Sequence, residues 1–129
     1  MTTTTNQPGM TDAAFRTTRE FLGLTGDWLA AHLDVSPRTV RHWEQGKYPI
    51  PDGVRQAVEA LKDYTADCIG AYVTTLIGLP DPSVYVYRTD EQMRAASLEF
   101  DMPASWHRAV IARVALEVPA LQITYAPDA

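Results

Sequence analysis

The chain has 129 residues, one cysteine and a formal net charge of −5. That length allows one domain, or two small ones sharing a core. A lone cysteine excludes an intrachain disulfide, no apolar run is long enough to span a membrane, and no secretory leader is present, so a cytoplasmic location is expected.

Residues 1–10 begin with MTTTTNQPG, a polar stretch of low complexity without periodicity, and are expected to be a disordered tail. Thr11 to Leu22 reads as the first helix, with Thr11 as N-cap, Asp12 favourable in the first turn, and Phe15, Thr18, Phe21 and Leu22 facing inward. Gly26 to Leu33 reads as a short second helix capped by Thr25. A third opens on Ser36 as N-cap with Pro37 at the first helical position, where a missing N–H costs nothing. Between them Asp34 and Val35 leave room only for a helix-turn-helix turn.

Apolar spacing agrees with that division. Leu29, Ala30, Leu33, Val35, Val40 and Trp43 follow the i, i+3, i+4 rule and close into a small core. The third helix then exposes Arg38, Arg41, His42 and Gln45, side-chain types that hydrogen-bond to base edges and phosphates. Pro49 and Pro51 bar a helix until Pro51 itself, which can open the next one.

A long helix over about 52–78 follows, with Val54, Val58, Leu61, Tyr64 or Thr65, Cys68, Tyr72 and Leu76 spaced by threes and fours. Such a seam suits a connecting element or a contact between copies, and Cys68 reads as a buried structural thiol. Gly78–Ser83 breaks the helix. Val84–Tyr87 reads as a strand, Thr89 and Gln92 as a capping box for a helix to about Phe100, and Ala104–Val118 as a last helix. Leu121–Tyr125 alternates apolar and polar residues, as a half-buried strand does. Two strands alone are marginal in water, so pairing with the same strands of a second subunit is expected.

Charge is unevenly divided. Residues 1–65 hold seven basic side chains against eight acidic ones, and residues 66–129 hold four against eight. From Arg38 to Lys47 three basic residues face only Glu44, a local basic face on an acidic body.

Leu22-Gly23-Leu24-Thr25, Leu29-Ala30, Val35-Ser36, Thr39-Val40 and Trp43-Glu44-Gln45-Gly46-Lys47 resemble the Cro/phage-repressor (XRE-type) helix-turn-helix over roughly residues 11 to 62. Asp34 stands where that family usually has Gly, and Asp tolerates the left-handed turn. Gly26 stands where many members carry a phosphate-holding Gln, and offers only its backbone N–H. The resemblance implies an ion pair between Arg19 and Glu44. The strand–helix–helix–strand tail is similar to small phage and bacterial regulators, including repressors associated with anti-CRISPR operons. Trp43 to Asp52 and Ser105-Trp106-His107-Arg108 carry this second likeness, which implies a homodimer made by the C-terminal part.

The expected architecture is therefore mainly α with a small α+β tail. A helix-turn-helix DNA-binding domain over 11–65 precedes a dimerisation domain over 66–129. His32, His42 and His107 are scattered, and no nucleophile elbow, phosphate loop or acid pair is present, so no enzyme, metal or cofactor is expected. The expected function is a repressor that binds a palindromic operator in double-stranded DNA as a homodimer. Arg38, Arg41, His42 and Gln45 would reach bases, and Thr25, Ser36, Thr39, Lys47 and Tyr48 would hold phosphates. Trp106, Val110, Val114, Leu121 and Ile123 would join the two copies. An alternative is an antitoxin that also binds a toxin protein. A third reading is an interaction adaptor that no longer touches DNA.

Overall fold

The computed structural model describes residues 9–96, 98 and 100–128, and the expected tail lies almost wholly outside them. Six helices and one two-stranded parallel sheet make up these residues, so the chain is mainly α with a small α+β part. The helices are α1 (Asp12–Phe21), α2 (Gly26–Leu33), α3 (Pro37–Glu44), α4 (Asp52–Leu76), α5 (Asp90–Ala95) and α6 (Ala104–Glu117). The strands are β1 (Ser83–Val86) and β2 (Gln122–Tyr125). Two compact units divide the chain. One holds the residues up to Glu20 together with Thr25–Leu61, and the other holds Phe21–Leu24 together with Lys62–Ala129. The boundary on α4 thus falls near the expected 65/66, but the second unit also takes four residues from ahead of α2.

The first unit is built by caps and one small core. Thr11 Oγ1 accepts the Ala14 N–H at 3.0 Å and starts α1. Phe15, Leu29, Ala30 and Val40 are at most 1% exposed, and Phe15 meets Trp43 edge-on with ring centroids 5.9 Å apart. Aromatic pairs prefer this geometry because the positive ring edge meets the negative face. Arg19 closes the unit from the other side. Its Nε donates to Glu44 Oε2 at 2.6 Å and a terminal nitrogen donates to Oε1 at 2.9 Å, which ties α1 to the end of α3 as the family likeness implies. That hydrogen bonding, ahead of the opposing cost of burial, holds the guanidinium pKa above its ordinary value.

The second unit is centred on α6. Trp106, Val110, Ile111 and Val114 are at most 1% exposed, and the Trp106 indole N–H donates to the buried Thr65 hydroxyl at 2.9 Å. This corrects the expected subunit interface. Trp106, Val110 and Val114 are enclosed by their own chain and present no surface to another, whereas Leu121 is half-buried and Ile123 is 42% exposed. An apolar helical stripe specifies burial and leaves open what covers it. Here the same polypeptide does.

The strands also depart from expectation. β1 and β2 pair with each other in parallel, Ser83 opposite Gln122 through Val86 opposite Tyr125. Parallel neighbours need a crossover connection, which the α5–α6 segment supplies. All four β2 side chains are exposed, so that strand is not half-buried. α5 starts as expected: Thr89 Oγ1 accepts the Gln92 N–H at 3.1 Å, and Gln92 Oε1 accepts the Arg88 N–H at 2.8 Å. It ends at Ala95, short of Phe100. Asp90 accepts the Ala104 N–H at 2.7 Å and so fixes the start of α6 beside the start of α5. Leu98 and Phe100 turn back to pack on the cluster of Tyr87, Met93 and Ala104. Phe21, expected inside, is 53% exposed and lies under the Arg113 guanidinium at 3.9 Å.

Candidate nucleic-acid interface

Local rules place α2 and α3. Thr25, extended at φ −77° and ψ 158°, accepts the Trp28 N–H on its hydroxyl at 3.0 Å. Ser36 does the same for the Thr39 N–H at 3.1 Å, with Pro37 in the first turn. The turn between the helices rests on Asp34, which is left-handed at φ 59° and ψ 45°. Its conformation lets the Val35 N–H reach back to the Ala30 carbonyl at 2.9 Å, satisfying the end of α2. Gly46 repeats the device after α3 at φ +74°, and the Lys47 N–H reaches the His42 carbonyl at 2.9 Å. A side chain at Gly46 would also meet the Asp12 carboxylate 2.7 Å from its Cβ.

With Val40 and Trp43 buried, the opposite side of α3 is left open. Arg38, Arg41 and Gln45 are exposed and His42 is half-exposed, at spacings of three and four that put them on adjoining rows of one helix face. Neither Arg38 nor Arg41 makes an ion pair among the described residues. Arg16, Arg19 and Arg55, by contrast, are paired with Glu20, with Glu44, and with Asp52 and Glu59. Within the first unit, the arginines without an ion pair among the described residues are those of α3.

The flanking polar groups are arranged around this face. Ser36 Oγ and Thr39 Oγ1 lie 2.9 Å apart, so one hydroxyl hydrogen of the pair is shared between them and the other is left for an external acceptor. Thr25 uses only acceptor capacity in its cap and keeps its O–H to donate. Tyr48 is 54% exposed, and the Lys47 ammonium stands 5.9 Å from its ring centroid. His42 sets its ring against Tyr48 with centroids 5.5 Å apart. Desolvation first, then the charges of Lys47, Arg38 and Arg41, push the His42 pKa below its ordinary value, which favours the neutral imidazole.

All nine candidate contact residues lie within the first unit, on α3 and the turns at its two ends or at the cap of α2. One arrangement escaped the sequence reading: Trp28 stacks on His32, with centroids 4.9 Å apart and planes 12° from parallel, on α2. Their i, i+4 spacing was the available signal. Among the described residues no group of His, Cys, Asp or Glu could hold a metal ion, and no helix is long and apolar enough to cross a membrane. No protein-family model matches this chain, and no curated protein matches it.

Proposed function

We propose that this chain is a cytoplasmic, sequence-specific DNA-binding repressor of the phage-repressor type, acting as a homodimer on a palindromic operator. The observation that carries the reading is the outer face of α3, where Arg38 and Arg41 make no ion pair among the described residues, beside Gln45, on a helix fixed by caps at both ends. Arg38 and His42 read base edges, and Arg41 and Gln45 divide between bases and backbone. Thr25, Ser36, Thr39, Lys47 and Tyr48 hold phosphates. One such helix covers too few base pairs to select a site in a genome. Two copies set about one helical turn apart, on the order of 34 Å, read a palindrome together. Of the residues first assigned to the contact between copies, Ile123 has the side chain most open to a partner.

Selection of bound fragments from random duplex DNA tests the assignment, with wild type, Arg38→Ala and Lys47→Ala run side by side. Wild type should enrich an inverted repeat. Arg38→Ala should lose preference at one base pair per half-site, the roughly 1–3 kcal/mol carried by a bidentate arginine–guanine contact. Lys47→Ala should bind all sequences more weakly and lower the salt slope by about one. No enrichment by wild type, or an identical motif from Arg38→Ala, overturns the reading.

A further inference from the structure

A groove of about 600 Å³ runs along α4 beyond its midpoint, wholly within the second unit. Its walls are mostly apolar and aromatic: Tyr64, Tyr72 and Phe100 contribute rings, and Ala71 and Val84 lie between them. The rings belong to one connected set. Phe100 lies 6.2 Å from Tyr72 and 5.3 Å from the buried Trp106, which in turn stacks with Tyr64 at 5.8 Å. Behind Tyr72, its hydroxyl is held 2.9 Å from Nε2 of the buried His107, which fixes the ring in the wall.

Among the described residues, the one lining side chain with a formal charge is Asp67, and it forms no ion pair. Burial pushes the Tyr72 hydroxyl up to about 12 and raises the Cys68 thiol as well. A volume of several hundred Å³, apolar walls and a few fixed polar groups are the attributes of small-molecule sites. Aromatic faces attract cations through their ring quadrupole, and a single uncompensated carboxylate adds to that attraction. Among the described residues, no basic side chain lines the groove to receive an anion.

We propose that this groove is a binding site for a small organic cation with an apolar body, its charge set by Asp67 and its body against Tyr64, Tyr72 and Phe100. The site stands independently of DNA recognition.

Tetraphenylphosphonium and tetraphenylborate test it, because the two ions share size and shape and differ in sign. Titration of each into the full chain without DNA, followed by calorimetry and by tryptophan fluorescence, should show saturable binding of the phosphonium at micromolar concentrations. The borate should bind at least about tenfold more weakly. Asp67→Asn, at an exposed position, should keep the melting temperature and lose that preference. Ala71→Trp, also at an exposed position, should fill the groove and abolish phosphonium binding. Equal affinity for the two ions, or a preference unchanged in Asp67→Asn, overturns the proposal. So does phosphonium binding that survives Ala71→Trp. Failure of the phosphonium to bind, together with a dimer that Ala71→Trp dissociates in sedimentation, would make the groove an interface between copies and refute the cation site.

Discussion

Replacing Glu44 with alanine removes the carboxylate from a guanidinium that keeps little contact with water. The Arg19 and Glu44 side chains are 14% and 12% exposed, and the two hydrogen bonds between them measure 2.6 and 2.9 Å. Breaking a buried pair by deleting one partner costs about 3–5 kcal/mol, since the other charge is left desolvated and uncompensated. The residual exposure of this pair places the cost near the lower end, about 3 kcal/mol. In a unit of this size each kcal/mol moves the midpoint by about 4–8 °C, so Glu44→Ala should melt roughly 15 °C below wild type. Glu44→Gln keeps the shape and one acceptor, and should lose about half as much. Because the pair's own desolvation offsets much of its attraction, Arg19→Met combined with Glu44→Leu should be less destabilised than Glu44→Ala alone. Thermal melts by far-ultraviolet circular dichroism, arranged as a double-mutant cycle, measure all four states. An unchanged melting temperature for Glu44→Ala, or strictly additive single effects, would refute the reasoning.

Two further outcomes concern the second unit. His107 is buried, its Nδ1 has no hydrogen-bond partner among the described residues, and burial first, then Arg108, lower its pKa to about 4. The unfolded imidazole takes a proton near 6.5 and the folded one only near 4, so stability is full above pH 6.5 and falls as pH drops between those values. Chemical denaturation across that range should show a loss on the order of 3 kcal/mol, flattened in His107→Gln; equal slopes for the two proteins would count against it. Gly23 has φ +69°, and a Cβ there would lie 2.5 Å from the Ser105 carbonyl oxygen and 3.0 Å from Ala109 Cβ. Gly23→Ala should therefore cost at least about 2 kcal/mol, and a wild-type denaturation midpoint would show that the backbone yields freely.

Where a signal is local, the chain order alone was enough to read it. Thr25 and Ser36 cap because their hydroxyls reach an N–H three residues on, and Asp34 turns left-handed because its own side chain permits it. The α3 face followed from helical period once Val40 and Trp43 were assigned inward. Long-range partnership was not legible. Trp106, Val110 and Val114 announce burial, and nothing in their spacing distinguishes Thr65 and Tyr64 of the same chain from a second copy. β1 and β2 likewise read as strands, but their parallel register is set by the path of residues 87–121 between them. Phe21 was misjudged because a ring at helical spacing can be covered from above by an arginine as well as by a core.

The division of the chain has a topological consequence for the helix-turn-helix. Phe21–Leu24 and Lys62 onward belong to one unit, so the intervening Thr25–Leu61 segment is an insertion with both ends anchored in it. If that segment unravels while the second unit holds, it does so as a closed loop of roughly 40 residues, not as a free end. Tying the ends of such a loop lowers the entropy of its disordered form by about 4 kcal/mol on the chain-closure estimate used for cross-links. The second unit thus acts on the inserted hairpin as a covalent staple would, with Gly23 and its bond from Ser105 serving as one of the two fastenings. A break in the backbone near Gly23 would undo that fastening without altering a single residue of α2 or α3.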